Sequence, residues 1–263
     1  MISQIKKRIF IIVLFLLSIQ YSYSQFAFSH EVGIITGPVA FQSDFGERHD
    51  FDTNSGNTGI GIGIVYYLNF DYLTNYYYWS ANNYFTDHFK IRAELSWNKT
   101  ELNHFGTWVD KSRTSAAADK LRAHSGEAQN FNVGAQLEYY PISIKAFSQG
   151  NHYLAPFVSF GVQFVSFNPK VTTTYGDLNV NNPNNFYPNW EPGSIDAKSG
   201  TTWSLVGSVG TRYKLSILSD LMLDLRVQSY FSDYTDGLDH QLPSNKSNDW
   251  LVWLNVGYIY YFD

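Results

Sequence analysis

The chain has no cysteine among its 263 residues, which excludes a disulfide framework, a thiolate metal site, a cysteine nucleophile and lipid attachment at an N-terminal cysteine. Charge is also scarce. Only 16% of residues are Asp, Glu, Lys or Arg, against about a quarter in an ordinary soluble domain. A net charge of −5 offers no basic surface to nucleic acid, so no such partner is expected. Beyond the first 24 residues no apolar run approaches the 18 or so needed for a spanning helix, so helical membrane proteins are excluded. No HExxH, phosphate-binding loop or dinucleotide fingerprint occurs. No cofactor or metal is expected.

Aromatic residues, by contrast, reach 18%, with 20 Tyr, 20 Phe and 7 Trp, and there are 21 Asn. The mean hydropathy of −0.24 suits a soluble protein, and it equally conceals alternating membrane strands, whose two faces average out.

Residues 1–24 read as a secretory signal peptide. Lys6, Lys7 and Arg8 precede the apolar stretch Ile9–Ile19, and Ser22-Tyr23-Ser24 supplies small residues before a cleavage at Gln25. An anchor helix is the alternative, but the stretch is too short to span a bilayer. The mature domain is then 25–263.

Eight segments of that domain alternate with the period of a strand. Residues 89–98 set Phe89, Ile91, Ala93, Leu95 and Trp97 against Lys90, Arg92, Glu94, Ser96 and Asn98. The segments 58–70, 130–140, 220–231 and 250–262 alternate similarly, and 28–39, 153–167 and 201–213 do so more weakly. The apolar faces are broad, aromatic at their ends and almost free of charge. The opposite faces carry Gly, Asn, Gln and charged pairs. A soluble sandwich or lipocalin would bury the apolar faces. Here they suit lipid, which predicts an all-β, eight-stranded antiparallel transmembrane β-barrel.

Connection lengths orient it. The segments 40–57, 99–129, 168–200 and 232–249 are long and polar, as external loops are, while 141–152 and 214–219 are short. An even strand number places both termini on the periplasmic side of a Gram-negative outer membrane. The return 71–88 is too long for a simple turn, and its Tyr76-Tyr77-Tyr78-Trp79 run suits a membrane interface or a protein partner.

Two features resemble known outer-membrane barrels. In the last segment, Asn255, Gly257, Tyr260 and Phe262 fall in a polar-x-Gly-x-x-aromatic-x-aromatic pattern similar to the signal read by the barrel assembly machinery, with Asp263 following where an aromatic usually ends the chain. The stretches Phe160–Lys170, Gly207–Ser216 and Tyr230–Leu238 resemble strands of small OmpA/PorT-like barrels, a family common in bacteria with type IX secretion and gliding motility. The long 71–88 return departs from that family's short turn. The resemblance implies an outer-membrane location and no particular activity, some relatives being subunits of secretion or assembly machines.

Chemistry is sparse. No two of the seven His lie within four residues of one another. His104 or His124 beside a serine would be the starting point for an acyl-modifying enzyme, and solvated loop residues are the plainer reading. Asp44, Glu47, Asp50 and Asp52, with Asn54 and Asn57, place oxygens together in the first external loop, but their spacing fits no known calcium loop. The inward faces carry Glu31, Glu94, Glu138 and Asp224 against Lys90, Arg92, Arg212 and Arg226. Equal and opposite sets in a narrow interior predict a paired plug. The expectation is a non-enzymatic outer-membrane barrel in a structural or interaction role, surrounded by outer-membrane lipid. An accessory subunit of a secretion or assembly machine is the alternative, with a narrow channel or lipid-modifying enzyme behind it.

Overall fold

The computed structural model describes residues 29–47, 50–70, 84–243 and 247–262. The expected signal peptide, Asp263 and the Tyr76, Tyr77, Tyr78, Trp79 run lie outside these residues. Among the described residues nine strands are present: β1 Ser29–Gln42, β2 Thr58–Asn69, β3 Phe89–Asn103, β4 His124–Tyr139, β5 Leu154–Phe167, β6 Lys170–Thr173, β7 Gly200–Ser216, β8 Ser219–Tyr230 and β9 Trp250–Phe262. Three short helices join them: α1 Tyr84–His88, α2 Ala116–Ala123 and α3 Ile144–Ser148.

Eight of the strands close into an antiparallel ring, each bonded to its neighbours, with β1 against β9 completing the circle. The ninth, β6, continues β5. Both pair with β4 in the same register, and the ladder breaks only at Asn168-Pro169, since proline has no N–H to donate. The 168–200 connection therefore contains a strand that alternation alone did not separate.

Two other boundaries differ from the sequence reading. β3 runs to Asn103 and β4 starts at His124, so 99–103 and 124–129 are paired (Asn103 opposite Ser125) and the loop between them is only 104–123. At the other end, Lys214 pairs with Asp220, and the β7–β8 turn shrinks to Ile217-Leu218. Polar strand ends lack the apolar alternation by which strands are recognised, so they read as loop.

Register partners can be followed round the ring from Glu31 to Tyr67, Arg92, Gln136, Gly161, Val206, Gln228 and Leu251, which returns to β1 at Phe41. The offset from 31 to 41 is a shear of ten residues. With a rise of ~3.3 Å and a strand spacing of ~4.8 Å, eight strands at this shear tilt by about 41°. A twelve-residue strand such as β2 then advances about 30 Å along the axis, the thickness of a hydrocarbon core.

The outward faces form an apolar belt. Ile34, Ile64, Leu95, Val133 and Phe164 are successive cross-strand neighbours, and all are exposed, Ile34 at 61%. Val209, Leu225 and Leu254 continue the belt on the far side. The core lies inside the ring. Trp253 fills the space left by Gly61, where an added Cβ would sit 2.4 Å from the indole. At the terminus end, α3 folds under the barrel and buries Ile144 and Phe147 beside Tyr140 and Phe157.

Candidate functional site

Two assemblies of polar side chains stand out, one in the lumen and one beneath the loops. In the lumen all eight charged residues expected to face inward are buried, because each has the parity of the inner face. Near mid-barrel, Arg226 grips both oxygens of Glu94 at 2.5 and 2.7 Å and lies 3.6 Å from Asp224. Arg92 reaches Glu94 at 2.9 Å, Asp224 at 3.1 Å and Glu138 at 3.5 Å. Nearer the termini, Glu31 binds Lys90 and Arg212, each at 2.5 Å, and the Tyr140 hydroxyl donates to Glu138 at 2.6 Å. The Arg212 guanidinium also stacks 4.1 Å from the centre of the Tyr67 ring.

Two further members were missed in the sequence. Asp220 lies 3.2 Å from Lys214 and 3.7 Å from Arg212, and it accepts a hydrogen bond from Tyr261. Their parity matches Arg212 and Asp224, but reading 214–219 as a turn removed Lys214 and left Asp220 unassigned. Among the described residues the lumen thus holds five cations (Lys90, Arg92, Arg212, Lys214, Arg226) and five carboxylates (Glu31, Glu94, Glu138, Asp220, Asp224). Towards the loops, amides replace the charges: Gln228 donates to Asn132 and Ser204, and Asn130 donates to Asn98 and Tyr230. Tyr230 then stacks on Phe41.

On β9, Asn255 and Gly257 face inward, and Tyr260 and Phe262 face outward at the terminus end, their rings edge to face at 5.7 Å. Asn255 is fully buried, and its amide has no hydrogen-bond partner among the described residues. Beside this rim, Tyr84 and Phe85 of α1 stand exposed, with Phe85 stacked on Phe89 at 4.7 Å.

The loops form a folded cap. Phe45 lies against both His104 and His124, with centroids 4.9 and 4.8 Å away. The two imidazoles bond each other, Nε2 of His104 to Nδ1 of His124, at 2.8 Å. His104 Nδ1 donates to the Phe45 carbonyl at 2.9 Å, so its Nε2 is the acceptor of the pair. Burial pushes the His104 pKa down to about 3. These two His are 20 residues apart and meet because β3 and β4 bring their loop ends together. Trp190, from the 174–199 loop, packs on His104, His124 and His240. An open cavity of about 260 Å³ lies among Phe45, His104, Trp108, Tyr187 and Trp190.

The first-loop acids separate. Glu47 accepts from the Trp108 indole at 2.8 Å. Asp50 accepts from the backbone of Asp52 at 3.1 Å and caps the turn 51–53. Asn57 donates to Asn54 at 3.1 Å. Only Asp44 turns inward, to meet Asp233, Asp236, Asp239 and Asp249 near the fourth loop. Burial and the neighbouring Asp236 raise the Asp44 pKa to about 9. Burial and Asp239 raise that of Asp233 to about 7. Burial likewise raises Asp236 and Asp249.

No protein-family model matches the chain, and no curated protein does. Among solved structures, the major outer membrane protein from Thermus thermophilus is similar over 89% of this chain and 99% of its own, at 16% identity and a TM-score of 0.47. Neisserial surface protein A is similar over 89% and 97%, at 10% identity and 0.43. Ail, the attachment invasion locus protein of Yersinia pestis, is similar over 89% and 99%, at 11% identity and 0.42. At such identities and scores these likenesses carry no functional argument, and none of the three concerns type IX secretion or gliding motility. Function has to be argued from the chain's own surfaces.

Proposed function

We propose that this chain is an outer-membrane β-barrel of a Gram-negative bacterium, non-enzymatic, with a plugged lumen and a folded external cap as its interaction surface. The observation that carries the reading is the inverted distribution of polarity. Apolar side chains such as Phe160, 63% exposed, face outward round the ring, while ten charged residues are buried within it. In water this arrangement would expose the apolar belt and desolvate the charges. In a bilayer the belt meets acyl chains, and the closed ring leaves no unpaired sheet edge. The termini then face the periplasm, and the Asn255, Gly257, Tyr260, Phe262 strand serves the barrel assembly machinery.

The test is fractionation with single-cysteine labelling. The protein should enter the outer-membrane fraction with heat-modifiable gel mobility. Cysteines at Asp110 and Asn184, both exposed loop positions, should react with an impermeant reagent on intact cells. One at Gln149, exposed at the opposite end, should react only after the outer membrane is opened. Labelling of Gln149 on intact cells would invert the topology.

A second reading, an accessory subunit of an outer-membrane secretion or assembly machine, is favoured by the aromatic shelf of Tyr84, Phe85 and Phe89 at the terminus rim. Tyr76, Tyr77, Tyr78 and Trp79 adjoin it in sequence. Replacing 72–86 by a short Gly-Asn turn should release a co-purifying periplasmic-side partner while the barrel stays folded. Retention of every partner would assign the shelf to lipid headgroups instead.

A further inference from the structure

We propose that the carboxylates gathered between the first and fourth loops bind a calcium ion, with Asp44, Asp233 and Asp239 as ligands. One carboxylate oxygen from each of these three lies within 4.8 Å of the other two. Oxygens this close can converge on a single ion with a small side-chain adjustment, calcium's Ca–O distance being roughly 2.3–2.6 Å.

A second observation, independent of that spacing, is a set of bare oxygens sealed from water. Asp44 is 2% exposed, Asp236 0% and Asp249 1%. Asp44 Oδ1, Asp236 Oδ2 and Asp249 Oδ1 have no hydrogen-bond partner among the described residues. The second oxygen of each is anchored. Asp44 Oδ2 accepts from the His240 backbone at 2.9 Å, Asp236 Oδ1 from that of Leu238 at 2.7 Å, and Asp249 Oδ2 from that of Thr235 at 3.1 Å. Asp44, the one of the three that also belongs to the convergent set, is thus held by one oxygen with the other left free, which is how supporting contacts orient metal ligands. Asp236 is bonded as well by the Ser43 side chain and the Asp44 backbone. Left without a cation, a buried bare carboxylate loses its hydration and gains nothing in return.

Among the described residues no protein countercharge faces these acids. No described Lys or Arg forms an ion pair with these acids, and His240 Nδ1 is their one basic neighbour, 3.7 Å from Asp44. That nitrogen accepts the Leu242 N–H at 3.1 Å, so it carries no proton there and brings no positive charge. The free donors are all hard oxygens, which favours calcium or magnesium over zinc or copper. Magnesium keeps most of its waters and takes one or two carboxylates, whereas calcium accepts a cage of several. Bound calcium would tie the 43–57 loop to the 231–249 loop.

The experiment is a titration of the purified, folded barrel with Ca²⁺ by calorimetry. It is repeated with Tb³⁺, whose emission Trp190 should sensitise because its ring lies 6.0 Å from that of His240. Saturable binding is expected, together with slower proteolysis of 231–249 in Ca²⁺ than in EDTA. Asp233→Asn should weaken binding at least tenfold and Asp44→Asn should abolish it. The double variant Asp50→Asn/Asp52→Asn, in the same first loop, should bind as the parent does. Should Asp44→Asn fail to fold, the parent titration and the half-buried Asp233 decide. Absence of saturable binding up to about 10 mM Ca²⁺ would overturn the assignment. So would unchanged affinity in Asp233→Asn, or a cap that ignores EDTA and loosens with Lys246→Gln, which would give the countercharge to a lysine outside the described residues.

Discussion

Replacing Arg226 by Met removes the strongest contacts of the lumen with little loss of volume. Glu94 loses bonds of 2.5 and 2.7 Å, and Asp224 loses a cation at 3.6 Å. Arg92 remains, but it already serves Glu94, Asp224 and Glu138. Three buried carboxylates would then share a single guanidinium at mid-barrel, supported otherwise by Arg212 3.7 Å from Glu138, the Tyr140 hydroxyl on Glu138 and the Gln136 and Gln163 amides on Glu94. Stripping one partner from a buried ion pair costs about 3–5 kcal/mol, mostly the penalty of the charge left behind. With a urea dependence of roughly 2 kcal/mol per molar, the unfolding midpoint should fall by about 2 M. The assay is urea unfolding in lipid vesicles, followed by tryptophan fluorescence and by heat-modifiable gel mobility. Adding Glu94→Gln to Arg226→Met should restore much of the loss, because the orphaned charge goes with its partner. A single variant within about 1 kcal/mol of the parent would refute the plug as a set of mutually dependent pairs, and would mean that water solvates Glu94 from within.

Other outcomes follow from the same packing. In planar bilayers the protein should show little steady conductance, since charges and amides fill the lumen and α3 folds beneath it; large ohmic openings would show an open path. Gly61→Val should displace Trp253 and with it the Arg226 guanidinium, 5.0 Å from the indole, lowering stability by about 1–3 kcal/mol in the same urea assay. The cap should loosen in acid. With its folded pKa lowered to about 3 from 6.5, His104 contributes stability that is complete above pH 6.5 and is lost as pH falls towards 3, at up to about 1.4 kcal/mol per unit. Protease sensitivity of 104–123 between pH 7 and 4.5 should rise in the parent and less in His104→Phe, and equal slopes would discount the imidazole pair.

Alternation made the barrel legible because one face meets apolar surroundings along the whole belt, and a period of two survives any loop length. The inner charges were legible for the same reason, since Lys90, Arg92 and Glu94 sit on one parity. Legibility failed where that pressure ends. The polar ends of β3 and β4 carry no apolar face, Pro169 splits one strand into two, and Asp220 and Lys214 sit beside a turn only two residues long. The acidic cluster failed differently. Sequence proximity grouped Asp44 with Glu47, Asp50 and Asp52, yet Asp44 sits beside Asp233 and Asp239, nearly 200 residues away. Nothing in a linear pattern announces such a meeting, because the tilt of the strands decides which loops converge.

The seam between β1 and β9 has a kinetic side. Every other junction of the ring joins strands consecutive round the chain, with β6 continuing β5, while this one pairs His30 with Phe262. The barrel can therefore grow as a widening curved sheet from either end, but its circle closes only when its first and last strands meet across the whole length of the fold. Until then both edges stay open, and an open edge invites pairing with another chain. A circular permutant joined from 262 to 29 and cut at Ile217-Leu218 moves that late event to the β7–β8 junction and makes the old seam a hairpin. The finished ring would be unchanged, and only the order in which its strands find one another would be rewritten.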